Sequence, residues 1–133
     1  MLVRLDYPQT FNNLIENILT QDFAPRHSHP AIDIAEYENE SIVVAELPGV
    51  KKDELRITFE NDVLTVAGER KPYEMPRDGR VLLNEMRLRE FSRSIEFPHA
   101  IDGDKISADL QNGILKIVVP KAASARPRTI EVK

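Results

Sequence analysis

The sequence contains no cysteine, and this absence removes several classes of site at once. Disulfide frameworks, thiolate zinc sites and cysteine nucleophiles all need that residue. No apolar run approaches the roughly 20 residues of a membrane-spanning helix. Residues 1–6 also lack the long apolar core and the small-residue cleavage site of a signal peptide. These absences together predict a cytoplasmic protein with no membrane partner.

Positive charge is not in excess either, since 18 Lys and Arg stand against 22 Asp and Glu. A nucleic-acid-binding domain needs a basic footprint, so we expect no nucleic-acid partner. The sequence also has no Gly-rich phosphate loop, no zinc signature and no ordered Ser–His–Asp set. It therefore predicts no catalytic residue, no cofactor and no enzyme activity, although a catalytic site assembled in space from distant residues stays open.

Three histidines need a separate interpretation. His27 and His29 lie two residues apart in a Pro-flanked linker, with Asp33 nearby. No third strong ligand follows in the sequence, so we interpret them as solvated linker residues and predict no metal site. His99, directly after Pro98, is predicted to be a turn residue.

Hydrophobic periodicity divides the 133 residues into an N-terminal arm (1–30), an all-β domain (31–120) and a flexible C-terminal extension (121–133). In the arm, apolar residues at i, i+3, i+4, i+7 and i+8 form one face of a short helix: Phe11, Leu14, Ile15, Ile18 and Leu19. A helix of about ten residues is marginal alone in water, so this stripe needs a partner.

Period-two alternation is the dominant signal in residues 31–120. Two runs are especially clean, with Leu55, Ile57 and Phe59 on one face of the first and Ile106, Ala108 and Leu110 on one face of the second. The pair Asn112-Gly113 predicts a type I′ hairpin, which needs positive φ at both positions. About seven short strands at this spacing predict an antiparallel, immunoglobulin-like β-sandwich.

Two segments do not fit a compact sandwich. Residues 69–80 are charged and Pro-rich, and the strand-like triplet Val81-Leu82-Leu83 follows them. Such a long excursion often serves an interface; the alternative is a disordered loop whose small strand folds onto its own sheet. At the C-terminus, Ile130 and Val132 point the same way on an extended chain, after a small, basic tether over 121–128. This tip is predicted to dock in a groove of another subunit, the alternative being a last strand folded back on its own domain.

Five blocks of sequence, in order, resemble the alpha-crystallin domain of small heat-shock proteins, bacterial members in particular. They are residues 46–50, 64–70, 91–98, 108–115 and 130–132. The fourth block carries the Ala, Asn-Gly, aliphatic and Leu spacing of the family signature. The fifth is similar to the family's Ile-x-Ile/Val tail motif. Arg89-Glu90 departs from the pattern, because many bacterial members carry a Gly before the aromatic residue.

The resemblance implies an ATP-independent holdase, which keeps partly unfolded client proteins from aggregating until ATP-driven chaperones refold them. It implies dimers that exchange a small strand, here Val81, Leu82 and Leu83 on a loop of residues 70–89, and that assemble into larger homo-oligomers. The tail tip would dock between strands 55–59 and 106–110 of a neighbour. Subunit number, client identity and the effect of heat stay open. The competing interpretations are a monomeric co-chaperone of the related CS type and an enzyme.

Arg93 and the arm stripe receive roles from the same resemblance. Arg93 shares the parity of Phe91 and Ile95, so its guanidinium needs a carboxylate or carbonyl partner. It matches the family's strand arginine, and a dimer-interface or structural role is favoured over a snorkelling edge residue. Glu85 on the exchanged loop is the candidate partner. The stripe Phe11–Leu19 is predicted to bind clients or pack in the oligomer, the alternative being packing on its own domain.

Overall fold

The structure is a computed structural model that describes residues 29–87 and 89–133. The predicted arm stripe (Phe11, Leu14, Ile15, Ile18 and Leu19) and His27 lie outside these residues. The described part contains seven strands: β1 (Ile32–Glu36), β2 (Glu40–Glu46), β3 (Leu55–Glu60), β4 (Val63–Glu69), β5 (Glu90–Glu96), β6 (Ser107–Gln111) and β7 (Ile114–Pro120). Three single 3₁₀ turns precede β3, precede β6 and follow β7.

The strands form two antiparallel sheets, in the order β1-β2-β7-β6 and β3-β4-β5. Alternate side chains of β2, β4, β5 and β7, with residues of the loop after β2, fill the space between the sheets, and eleven apolar residues are buried there. Burying a side chain of this size contributes about 1.5–3 kcal/mol, so the paired sheets carry the stability of the domain. The predicted all-β sandwich is confirmed.

The hairpin between β6 and β7 has the predicted turn. Asn112 (φ 51°) and Gly113 (φ 75°) both have positive φ. A two-residue turn of this kind sets the register of its strands, and here it places Leu110 opposite Leu115.

Gly68, in β4, lies where two other elements approach the backbone. A Cβ at this position would lie 2.4 Å from the Glu54 carbonyl oxygen and 2.8 Å from Cζ of Phe91. We expect Gly68→Ala to lower the free energy of unfolding by about 1–3 kcal/mol, because the core has to shift to admit one methyl group. Urea unfolding at matched protein concentration measures this change.

Gly79→Ala is the matched control, since a Cβ on this loop residue would meet its closest atom, the Pro76 carbonyl oxygen, at 3.3 Å. Equal stability of the parent and Gly68→Ala would contradict the close approach.

Candidate functional site

An apolar groove opens between β3 and β6, which are the edge strands of the two sheets on one side of the sandwich. It has a volume of about 230 Å³ and is lined by Lys52, Leu55, Ile57, Ala108, Leu110 and Leu115. The structure thus brings four of the six predicted groove residues together. The groove is smaller than the roughly 300–1,000 Å³ of ordinary ligand pockets, so it suits one or two inserted side chains better than a cofactor.

The other two predicted groove residues, Phe59 and Ile106, are half-buried and pack against the core without lining this cavity. The Phe59 ring lies so close to Gly103 that a Cβ there would be 2.7 Å from it. Leu115 is a groove residue that the sequence analysis missed. Leu115 could have been predicted from the Asn112-Gly113 hairpin, because the register of this hairpin places Leu115 opposite Leu110.

The groove is bounded by two strands that each have one unpaired edge in the described chain. An unpaired edge presents free N–H and C=O groups that an extended segment can pair with. The arrangement can therefore bind a peptide in two ways, through backbone hydrogen bonds at an edge and through apolar side chains in the groove.

The tail tip does not occupy the groove of its own chain. Ile130 is 85% exposed and Val132 is 97% exposed, and residues 126–133 form no strand. Two apolar side chains at the end of an extended segment are thus available to a neighbour.

The beginning of the tail differs from the tether predicted over 121–128. Lys121 is buried, at 8% exposure, and its backbone N–H donates to the Asn39 carbonyl at 2.9 Å. The Ala122 N–H donates to the Ala100 carbonyl, and Nε of Arg126 donates to the Lys121 carbonyl. We call residues 121–126 the tail root. The root is held by contacts with sequence-distant residues, which local composition does not encode.

The charged group that meets Lys121 comes from β1. Nζ of Lys121 donates to Oε1 of Glu36 at 2.7 Å. This hydrogen bond, and after it the positive charge of Lys121, lowers the pKa of Glu36 from its ordinary value of 4.5. Nδ1 of His99 lies 3.6 Å from the same oxygen, and its ring packs on Phe97 with centroids 5.9 Å apart. His99 does lie in a bend, but its side chain is only 11% exposed, which its position after Pro98 did not indicate.

The loop of residues 70–89 closes at its base, where the Arg70 N–H donates to the Arg89 carbonyl at 2.6 Å. Its described residues form no strand and expose six large apolar side chains, each at least 66% accessible: Tyr73, Met75, Val81, Leu82, Leu83 and Met86. The triplet 81–83 therefore does not pair with the sheets of its own chain. An exposed apolar cluster of this size is typical of an interaction surface.

Arg93 is half-buried on β5, opposite Val66 of β4. In residues 29–87 and 89–133 it forms no ion pair, and Glu85 is exposed, so the Glu85–Arg93 contact stays a prediction for a dimer. His29, interpreted as a solvated linker residue, instead hydrogen-bonds through Nδ1 to the Ser92 carbonyl at 2.8 Å. Among the described residues, no three His, Asp or Glu side chains cluster so as to hold a metal ion.

Comparison with known proteins assigns this chain to a family. The family model described as "Hsp20/alpha crystallin family" matches residues 33–133. The chain belongs to the Hsp20/alpha crystallin family. Small heat shock proteins of this family are chaperones and not enzymes; they form homo-oligomers and bind client proteins in response to stress.

Individual small heat shock proteins support the assignment. Heat shock protein 16 of Schizosaccharomyces pombe is 30% identical over 92% of this chain and 90% of its own. Spore protein SP21 of Stigmatella aurantiaca is 33% identical over 77% of this chain, which spans 61% of that longer protein. The crystal structure of a small heat-shock protein from Xylella fastidiosa superimposes with a TM-score of 0.66 at 31% identity, covering 80% of this chain and 98% of the other.

The part of the chain that the structure describes contains no helix long and apolar enough to cross a membrane.

Proposed function

We propose that this small heat shock protein is an ATP-independent holdase that assembles from strand-exchanged dimers into larger homo-oligomers. The proposal rests on a tail tip and a groove that fit each other. Ile130 and Val132 are exposed, and the β3/β6 groove is apolar, small and bounded by unpaired strand edges. Clients bound by the holdase would pass to ATP-driven chaperones. The predicted location stays the cytoplasm.

Tail docking explains how such an assembly can be stable and still open. Burying an Ile or a Val side chain contributes about 1.5–3 kcal/mol, and ordering the tail costs part of that gain. One docked tail is therefore a weak link. Several tails acting around a closed oligomer hold it together by avidity, while each contact can still release.

Strand exchange is supported by the state of the loop. Val81, Leu82 and Leu83 are exposed and unpaired within the chain, and β1 presents an unpaired edge of the four-stranded sheet. Pairing this triplet with an edge of a second copy would bury it and satisfy backbone groups on both chains. In the same dimer, Glu85 of one copy would neutralise Arg93 of the other.

Client protection is the direct test of the holdase proposal. The full chain should suppress aggregation of a heat-denatured client at near-stoichiometric amounts with no nucleotide present, because apolar patches bind unfolded segments non-specifically. Changing Phe11, Leu14, Ile15 and Ile18 to Ser should weaken this protection severalfold without unfolding the sandwich, since the sequence-predicted stripe lies outside it. Light scattering of the client measures both effects.

The matched control changes four polar residues of the same arm to Ser: Asn12, Asn13, Glu16 and Asn17. This control should protect as well as the parent. Equal protection by the stripe variant, at matched oligomer size, would move the client surface from the arm to the groove or the loop.

A monomeric co-chaperone of the CS type is the second candidate, since it shares the sandwich. The exposed tail tip and the exposed loop triplet argue against it, because a monomer would leave both apolar surfaces in contact with water. Native mass spectrometry decides between the two, as a uniform mass of 15.2 kDa would favour the co-chaperone.

A further inference from the structure

The tail root is held to the domain at a point where a charge is buried. The Lys121 side chain is 10% exposed, and in the described residues Glu36, whose own side chain is 53% exposed, supplies the one carboxylate within 4 Å of its ammonium. The two residues lie 85 positions apart, Glu36 at the end of edge strand β1 and Lys121 directly after β7. The contact therefore joins a sheet edge to the start of the tail.

A buried ammonium is tolerated only while it is paired. Removing one partner of a buried ion pair is strongly destabilising, whereas replacing the buried charge by an apolar side chain of similar volume is often neutral. Lys121 is the buried partner and Glu36 is half-exposed, so without the Glu36 charge the Lys121 ammonium would move out toward the water that Glu36 already contacts. Because its backbone N–H and the next one donate to Asn39 and Ala100, that movement would break both hydrogen bonds.

We propose that the Glu36 carboxylate acts as a latch: it keeps the Lys121 ammonium in its site, so that the tail root stays against the domain and the length of the free tail is set. With the latch closed, the tail is free only beyond Arg126, and the four steps to Ile130 span at most roughly 14 Å. With the latch open, the tail is free from Pro120, and the ten steps to Ile130 span at most roughly 35 Å.

The length of the free tail restricts which grooves its tip can reach. A short tail can reach only the groove of an adjacent subunit in a limited range of orientations, whereas a long tail admits many arrangements. The closed latch should therefore narrow the range of oligomer sizes. This consequence for assembly rests on the proposed tail docking, but the latch itself does not.

The other groups around the latch do not offer Lys121 a second partner. His99 approaches the same carboxylate oxygen at 3.6 Å, and neither of its ring nitrogens has a hydrogen-bond partner in the described structure. Phe97 covers the ring from the end of β5. Among these groups, the Glu36 carboxylate alone holds the Lys121 ammonium in place.

Hydrogen exchange of the full-length protein tests the latch with three variants, Glu36→Gln, Lys121→Met and the double variant. In Glu36→Gln, amide exchange in the tail root, residues 121–126, should rise about tenfold or more, the change expected when a hydrogen bond to a buried charge is lost. Exchange at core positions of β4 and β7 should not change. Lys121→Met and the double variant should exchange like the parent, because neither buries an unpaired charge.

Rescue by Lys121→Met distinguishes the latch from a general loosening of β1. Parent-like exchange in Glu36→Gln would overturn the proposal, and so would a double variant that exchanges as fast as Glu36→Gln. Native mass spectrometry of the same proteins examines the consequence, for which Glu36→Gln should broaden the distribution of oligomer sizes. If the tail-tip residues prove unnecessary for assembly while Glu36→Gln still raises exchange in the root, the tail-docking proposal is contradicted and the latch proposal is supported.

Discussion

Replacing Ile130 and Val132 by Gly should collapse the large assemblies to dimers while the sandwich stays folded. Both side chains are almost fully exposed in the single chain, so their loss removes no contact within the domain. What is lost is the apolar burial in a neighbour's groove, about 1.5–3 kcal/mol for each side chain before ordering costs. Because every subunit loses its link at once, avidity turns this modest change into a change of assembly state.

Light scattering and native mass spectrometry give the size of the assemblies, and thermal melting reports the fold. The control is Thr129→Gly with Glu131→Gly, which adds the same two glycines at positions that alternate with the tip residues. This control should keep the parent size, since it leaves both apolar side chains in place. Unchanged size in the tip variant would show that the tail does not link subunits.

Deleting residues 72–83 from the variant that carries Gly at positions 130 and 132 should convert its dimer to a folded β monomer. The deleted segment contains the exposed triplet Val81–Leu83 and none of the seven strands. The sandwich should survive because Arg70 and Arg89 are already hydrogen-bonded at the base of the loop. The residues that remain between Arg70 and Arg89 are enough to close a hairpin, and a shorter loop has a lower entropic cost of closure.

Sedimentation at several protein concentrations measures the dimer, and circular dichroism measures the fold. The matched control, in the same variant, replaces residues 72–80 by a Gly-Ser segment of equal length and keeps Val81, Leu82 and Leu83. It should remain dimeric, because the pairing strand is intact. A dimer that persists after the deletion would mean that another strand edge forms the interface.

The strands could be read from the sequence because each is a local pattern. Alternation of apolar and polar residues identified the runs that form β3 and β6, and the Asn112-Gly113 turn set the register of β6 against β7. Side chains two apart on a strand must share a face, so burial follows from spacing alone. The same logic placed Leu55 and Ile57 on one face of their strand and Ala108 and Leu110 on one face of theirs. That the two strands flank one groove came from the family resemblance, and the structure has all four residues in that groove.

Contacts between residues distant in sequence could only come from the tertiary structure. Nothing near Lys121 marks it as buried, and its small, basic surroundings indicate a free tether. β1 and β7 end at the same end of their sheet, on either side of β2, and this brings Glu36 to the Lys121 ammonium. In the same way, the packing of Phe59 against Gly103 takes a predicted groove residue out of the cavity. Periodicity specifies which face of a strand is apolar, whereas packing between elements decides which charge and which ring meet there.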